Sequence, residues 1–357
     1  MSRVKSKNLF NFQPAGAIDD DILALEAKME EAAPGAGAAF MARFKELSLA
    51  DDDASTKGFL DTLRMMMDGQ FALLNANPTF AEAGEKTIET ELKVPTSHDG
   101  EYDVVVKVIT PKTLQGNKNN AAYVYAHGGG AVGGTVAQHK PWLDLMAIDG
   151  NFVVFNVDYR LAPGTKCPNN VKDFYMAIKY VANNAEKLGI DPSKIAIAGD
   201  SGGGYICWGA EVLLAQNDET DLVKVAIPGI PMTDDYHFSD SAAMTMEERE
   251  MNPMQRKIWT LIAADMDKQK QDPLLFPGKA STELLQKFPP TIIFEAEFDL
   301  YITEATRMAY KLRAAGRLLE LIVIPGSKHG SYMMPGTKCF KVANDAFKLA
   351  MQEYLHN

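Results

Sequence analysis

The chain has 357 residues, of which 46% are hydrophobic and 23% charged. That balance excludes a disordered chain and suits one large domain with an accessory element, or two ordinary domains. A formal net charge of −11 disfavours nucleic acid or an anionic membrane surface as a partner.

Residues 19–33, 37–50 and 56–75 each place apolar residues at helical spacing, the first behind an acidic start. Three helices are therefore expected before the turn signal Asn77-Pro78. The texture then changes. Residues 86–95 and 102–111 alternate as half-buried strands do, about a turn at 97–100. The runs AAYVYA (121–126) and FVVFNV (152–157) are nearly continuous β-branched and aromatic stretches, which suit central strands of a mostly parallel sheet. Residues 169–190 read as a helix, 194–199 as a strand, 202–216 as a helix and 221–230 as a strand. The same alternation continues with TIIFEAE (291–297), a helix at 304–316, LELIVIPG (319–326) and a helix at 341–355. Strand and helix alternating in this way indicate an α/β fold. One interval, 234–278, is helical, rich in Met and free of strand patterning. It reads as an insertion that packs with the N-terminal helices as a cap above the ligand side of the sheet.

Cys167, Cys207 and Cys339 are odd in number and too widely spaced for a disulfide framework or a zinc pattern, so free thiols are expected. The N-terminal stretch has no apolar core of signal-peptide type, and no apolar run reaches membrane-spanning length. The cytoplasm is the expected compartment.

The chemistry is concentrated in three places. Residues 199–203, Gly-Asp-Ser-Gly-Gly, lie between a predicted strand and a predicted helix. Strand–turn–helix is the context of a nucleophile elbow, in which Ser201 is held out on a strained turn. The same pentapeptide surrounds the nucleophile of trypsin-like proteases, but those are all-β and disulfide-bonded, and nothing in the flanks is of that kind. Upstream, His127-Gly128-Gly129-Gly130 follows a predicted strand; bare glycine N–H groups there suit a developing oxyanion. No Gly-Lys-Ser/Thr follows, which removes a phosphate cradle. Downstream of Ser201 three histidines remain: His237 in the insertion, His356 in the tail, and His329 in a Gly-flanked loop just past a strand. Only His329 has the context of a catalytic base. Asp299 lies past the end of a strand and is the candidate acid; Glu295 and Glu297 within that strand are read as supporting groups.

These blocks together resemble the hormone-sensitive-lipase-like (bacterial, family IV type) branch of the α/β-hydrolase superfamily. Residues 127–130 match its oxyanion signature, 158–163 (Asp-Tyr-Arg-Leu-Ala-Pro) its block after the next strand, and 199–203, with Asp200, its nucleophile motif. Asp299 and His329 match its acid and base positions. The chain departs from the family in having Gly202 where Ala is frequent, GTKCPNN after Ala162-Pro163, and Leu300 after the acid.

The resemblance implies an α/β-hydrolase fold, a mostly parallel central sheet flanked by helices. The expected core segments are 76–233 and 279–357, with cap segments at 1–75 and 234–278. It implies a serine carboxylesterase for short- to medium-chain acyl esters, with a Ser201–Asp299–His329 triad and an oxyanion hole from the N–H groups of Gly129, Gly130 and Gly202. An amidase, deacetylase or peptidase on the same triad stays open, as does a non-catalytic small-molecule receptor of the same fold. No metal or cofactor is expected, and the expected partner is a small acyl ester. A homodimer stays open by analogy. Asp158 and Arg160 are read as structural, with Arg160 pairing a nearby carboxylate. Phe10, Phe12, Phe40, Met41 and Phe44 are read either as an acyl-pocket lining or as cap packing.

Overall fold

The computed structural model describes residues 16–32, 34–236 and 246–357. Among the described residues four helices precede the first strand: α1 (Asp20–Ala32), α2 (Ala36–Leu49), α3 (Asp53–Asn75) and α4 (Pro78–Gly84). α3 begins where the Asp52 side chain accepts the Ser55 N–H, and its buried stripe is Phe59, Leu60, Leu63 and Met67, the spacing of one helical face. α4 was not expected from the sequence. Asn77-Pro78 reads as a turn, but here Asn77 caps a helix through the Thr79 N–H, with Pro78 at the first position, where its missing N–H is harmless.

Eight strands form one sheet: β1 (Thr87–Thr96), β2 (Tyr102–Pro111), β3 (Asn120–Ala126), β4 (Phe152–Asp158), β5 (Ile190–Asp200), β6 (Val225–Gly229), β7 (Thr291–Phe298) and β8 (Leu318–Lys328). Their spatial order is β1-β2-β4-β3-β5-β6-β7-β8. The β1–β2 and β2–β4 pairs are antiparallel, and every later pair is parallel. The apolar runs of β3 and β4 are buried almost end to end, as strands covered on both faces must be.

The remaining helices are α5 (Val136–Gly150), α6 (Asn169–Asn183), α7 (Ala185–Leu188), α8 (Gly202–Gln216), α9 (Met246–Ile262), α10 (Met266–Gln269), α11 (Thr282–Leu285), α12 (Ile302–Ala315) and α13 (Lys338–Met351). The helix expected over 169–190 therefore breaks at Asn184, and β5 starts at Ile190. α5 and α13 share one core with alternate residues of β3, β4 and β7, among them Tyr123, Phe152 and Phe294. α6 and α8 bury the other face. α8 is buried on all sides from Gly202 to Ala215.

α2 packs against α9 of the 234–278 interval, and the Lys257 ammonium donates to the Ala50 carbonyl at 2.7 Å. Phe40, Phe44 and Phe59 stack in a row between α2 and α3, with ring centroids 5.6 and 4.9 Å apart. Phe44 is thus committed to packing among the N-terminal helices; Phe10 and Phe12 lie outside the described residues. Cys167, Cys207 and Cys339 are free and buried. Among the described residues no helix is long and apolar enough to cross a membrane.

Candidate active site

Ser201 stands between the last residue of β5 and the first of α8. Its φ is +57°, a left-handed conformation that a residue with a Cβ adopts only when its surroundings enforce it. The enforcement is visible. The Ser201 N–H donates to the Gly229 carbonyl at 2.9 Å, and its own carbonyl accepts from Tyr205 and Met232. Gly203 lets α8 pass the end of β3: a Cβ there would stand 2.0 Å from the Ala126 carbonyl oxygen.

The parallel sheet brings the ends of β5, β7 and β8 to one edge, where ligand sites of such sheets form. His329, just past β8, places Nε2 2.9 Å from Ser201 Oγ. Its Nδ1 lies 3.0 and 2.8 Å from the two carboxylate oxygens of Asp299, just past β7. The Asp299 side chain is wholly buried and that of His329 is 30% exposed; the Tyr301 N–H donates to Asp299 Oδ1 at 2.8 Å. The Tyr301 ring meets His329 edge-on, and its hydroxyl donates to Gln255 of α9. Of the other two histidines downstream of Ser201, only His356 is described, and it is not in this group. His356 bonds the Gly150 carbonyl, and His237 lies outside the described residues.

The glycine loop lies against the serine turn. A Cβ on Gly128 would be 3.7 Å from Ser201 Cβ, and one on Gly202 only 2.3 Å from Gly130 N and 2.4 Å from Ala131 N. Gly129 has φ +123° and Gly130 φ +62°, which glycine adopts readily. Among the described residues no acceptor holds the N–H groups of Gly129, Gly130 and Ala131. The nitrogens of Gly130 and Ala131 lie against the serine turn, and Ala131 has no signal of its own in the sequence.

Side chains fix this loop from behind. His139 on α5 accepts the Gly128 N–H at Nε2, 3.2 Å away, and its Nδ1 faces the Thr135 carbonyl. Only a neutral imidazole with its proton on Nδ1 can do both. Burial, joined by neighbouring His127, pulls its pKa down to about 3. His127 is likewise lowered by burial, to about 4; its Nδ1 bonds the Gly128 carbonyl and its ring stacks on Tyr159. From the N-terminal helices, Arg64 donates through Nε and Nη2 to the Val132 carbonyl at 3.2 and 2.9 Å. A Cβ on Gly129 would meet Met67 of α3, and one on Gly130 would meet Ile258 of α9. None of these three has a sequence signal, because each is distant in the chain from the loop it touches.

The buried Asp200 carboxylate accepts from Tyr125 Oη at 2.7 Å, and Tyr332 Oη donates to its other oxygen. Burial raises its pKa. Tyr332, three residues beyond His329, thus ties the loop that carries His329 to the turn that carries Ser201. Arg160 pairs with Asp173 through Nε at 2.9 Å and with Asp99 through Nη1 at 3.0 Å. Glu297, on β7, accepts the N–H groups of Gly16 and of Gly326 near the end of β8 and so ties the segment before α1 to the strand that leads to His329.

Comparison with known proteins agrees with this architecture. Residues 123–333 match the family described as alpha/beta hydrolase fold. The chain is 32% identical over 241 residues to Carboxylesterase NlhH of Mycobacterium tuberculosis, covering 65% of this chain and 72% of the relative. It is 28% identical over 239 residues to an ethyl acetate hydrolase of Pseudomonas putida, covering 66% and 73%. Among solved structures, a bacterial heroin esterase aligns with TM-score 0.70 at 28% identity over 82% of this chain and 91% of that one. The chain belongs to the α/β-hydrolase family, on its hormone-sensitive-lipase-like carboxylesterase branch.

Proposed function

We propose that the protein is a serine carboxylesterase that hydrolyses short- to medium-chain acyl esters through an acyl-enzyme. The observation that carries this reading is the unbroken hydrogen-bonded line from Ser201 Oγ through His329 to Asp299, set beside backbone N–H groups that have no acceptor among the described residues. Relatives named as a carboxylesterase, an arylesterase and an ethyl acetate hydrolase support the ester as substrate class.

In this mechanism Ser201 Oγ attacks the ester carbonyl while His329 Nε2 takes the hydroxyl proton. Asp299 orients the imidazole and stabilises the imidazolium. The N–H groups of Gly129, Gly130 and Gly202, joined by that of Ala131, stabilise the tetrahedral oxyanion. His329 returns the proton to the leaving alcohol, and water attacks the acyl-enzyme by the same route in reverse. Helices of segments 1–75 and 234–278 act as the cap, bringing Met67 and Ile258 onto the glycine loop.

Initial rates on p-nitrophenyl esters from acetate to palmitate, for wild type and Ser201→Ala, test the reading. Turnover of the shorter esters, lost by several orders of magnitude in the variant, is expected. Equal inactivity of both on every ester would move the chemistry to amides or to ligand binding.

A further inference from the structure

Behind the Ser201–His329–Asp299 line lies a second carboxyl group. Glu295 is on β7, four residues before Asp299, and is fully buried. Its Oε1 accepts the adjacent Ala296 N–H at 2.9 Å. Its Oε2 is buried and has no donor among the described residues, although the carboxyl lies within hydrogen-bonding reach of Asp299. Two ionised carboxylates cannot bond each other, because neither has a proton to give. Nor do two like charges in one dry site both stay ionised. The contact therefore needs a proton.

Which oxygen keeps the proton follows from the other partners. Asp299 faces His329 Nδ1 with both carboxylate oxygens and also accepts the Tyr301 N–H, so its anion is well solvated by donors. Glu295 has one donor, from its own neighbour. The other described groups that act on Glu295 bring no cation. Glu304 of α12 is a third buried carboxyl, which receives the Thr233 and Asp234 N–H groups at 2.9 Å. The phenols of Tyr301 and Tyr332 also feel its charge, and they donate to Gln255 and Asp200 respectively. Burial, reinforced by Asp299, drives the Glu295 carboxyl well above the usual carboxylate range.

We propose that Glu295 is a positioning residue that stays protonated and donates its O–H to the Asp299 carboxylate, so that Asp299 divides its negative charge between Glu295 and His329. This deepens the proposed function and rests on its reading of Asp299 and His329 as acid and base. Glu295 touches no reacting atom. It acts through Asp299, holding that carboxylate in place and weakening its pull on the imidazolium proton. With the donor gone, Asp299 concentrates its charge on His329 and the imidazole holds its proton more tightly.

Two measurements on the full chain test this without relying on ester turnover. The first is the infrared difference spectrum at neutral pH between wild type and Glu295→Gln. A carbonyl band of an un-ionised carboxylic acid, present in wild type and missing from the variant, is expected; its absence from wild type overturns the proposal. The second is the NMR titration of His329 in the Ser201→Ala background, with the signal assigned by its loss in His329→Gln. Glu295→Leu, which has no donor, is expected to raise the His329 midpoint by about half a pH unit or more. Glu295→Gln, whose amide still donates, is expected to leave it within about 0.2 units. A midpoint that falls in Glu295→Gln means that an ionised carboxylate was removed, and overturns the proposal; so does an unmoved midpoint in Glu295→Leu. Should Glu295→Leu fail to fold, the infrared band and the Glu295→Gln titration still decide. If both readouts come out as predicted while no ester is hydrolysed, the esterase reading fails and the Glu295 assignment stands.

Discussion

Gly202→Ala adds one methyl group where the serine turn faces the glycine loop. The new Cβ would lie 2.3 Å from Gly130 N and 2.4 Å from Ala131 N, where real contacts of this kind stay beyond 3.0 Å. The obstacle is backbone on both sides, so no side chain can swing away, and turn and loop must separate by about 0.7 Å. Oxyanion donors act at about 2.7–3.1 Å from the charge they stabilise. A displacement of that size takes one donor out of range, which is worth about 2.7–4 kcal/mol of barrier, or about 10²–10³ in kcat. The expected result is therefore a fall in kcat on p-nitrophenyl butyrate of that order, with a much smaller change in KM and an unchanged circular dichroism spectrum. The substitution is informative because Ala is frequent at this position in the family the chain resembles. A folded Gly202→Ala enzyme with kcat within about threefold of wild type would mean that the loop yields freely, and would refute the inference that the present contact sets the donor geometry.

Arg64→Met removes the two N–H donors from the Val132 carbonyl and is expected to lower kcat about five-fold, roughly 1 kcal/mol, with little effect on thermal stability; steady-state kinetics beside a melting curve checks this. Tyr332→Phe leaves the buried Asp200 with one phenol donor, and urea denaturation should show a loss of about 1–3 kcal/mol together with a reduced kcat. His139 supplies a pH dependence whose sign is fixed: its folded-state pKa is lowered by burial to about 3, against about 6.5 unfolded. The unfolded chain therefore binds the proton first, and stability is lost as pH falls below about 6.5. Between pH 7.5 and 5 the stability of wild type relative to His139→Gln should drop by about 2 kcal/mol; a constant difference over that range would contradict a buried neutral His139.

Much of this is legible in the sequence, and the boundary follows physical range. The β1–β2 hairpin, the buried runs of β3 and β4, and the strand–turn–helix around Ser201 are set by local periodicity and glycine placement, which a sequence displays directly. Ser201, Asp299 and His329 are legible as candidates because each follows a strand, and parallel strands deliver their C-terminal ends to one edge. α4 was hidden because Asn-Pro serves equally as a turn and as a helix start, and only packing of Phe80 and Ala83 separates the two. His139, Arg64 and Tyr332 were not legible at all. Their roles lie in partners 11, 68 and 132 positions away, and nothing in their own neighbourhoods marks them. Glu295 and Glu297 look alike in the strand pattern. The fold gives one two backbone donors and leaves the other against Asp299.

The central claim is that Ser201 is the nucleophile of an ester hydrolase, and its most direct measurement is mass spectrometric mapping after reaction with a fluorophosphonate. The account predicts a single adduct on Ser201, lost in Ser201→Ala together with ester turnover. An adduct on another residue, or a Ser201→Ala enzyme that still hydrolyses esters at the wild-type rate, would contradict it.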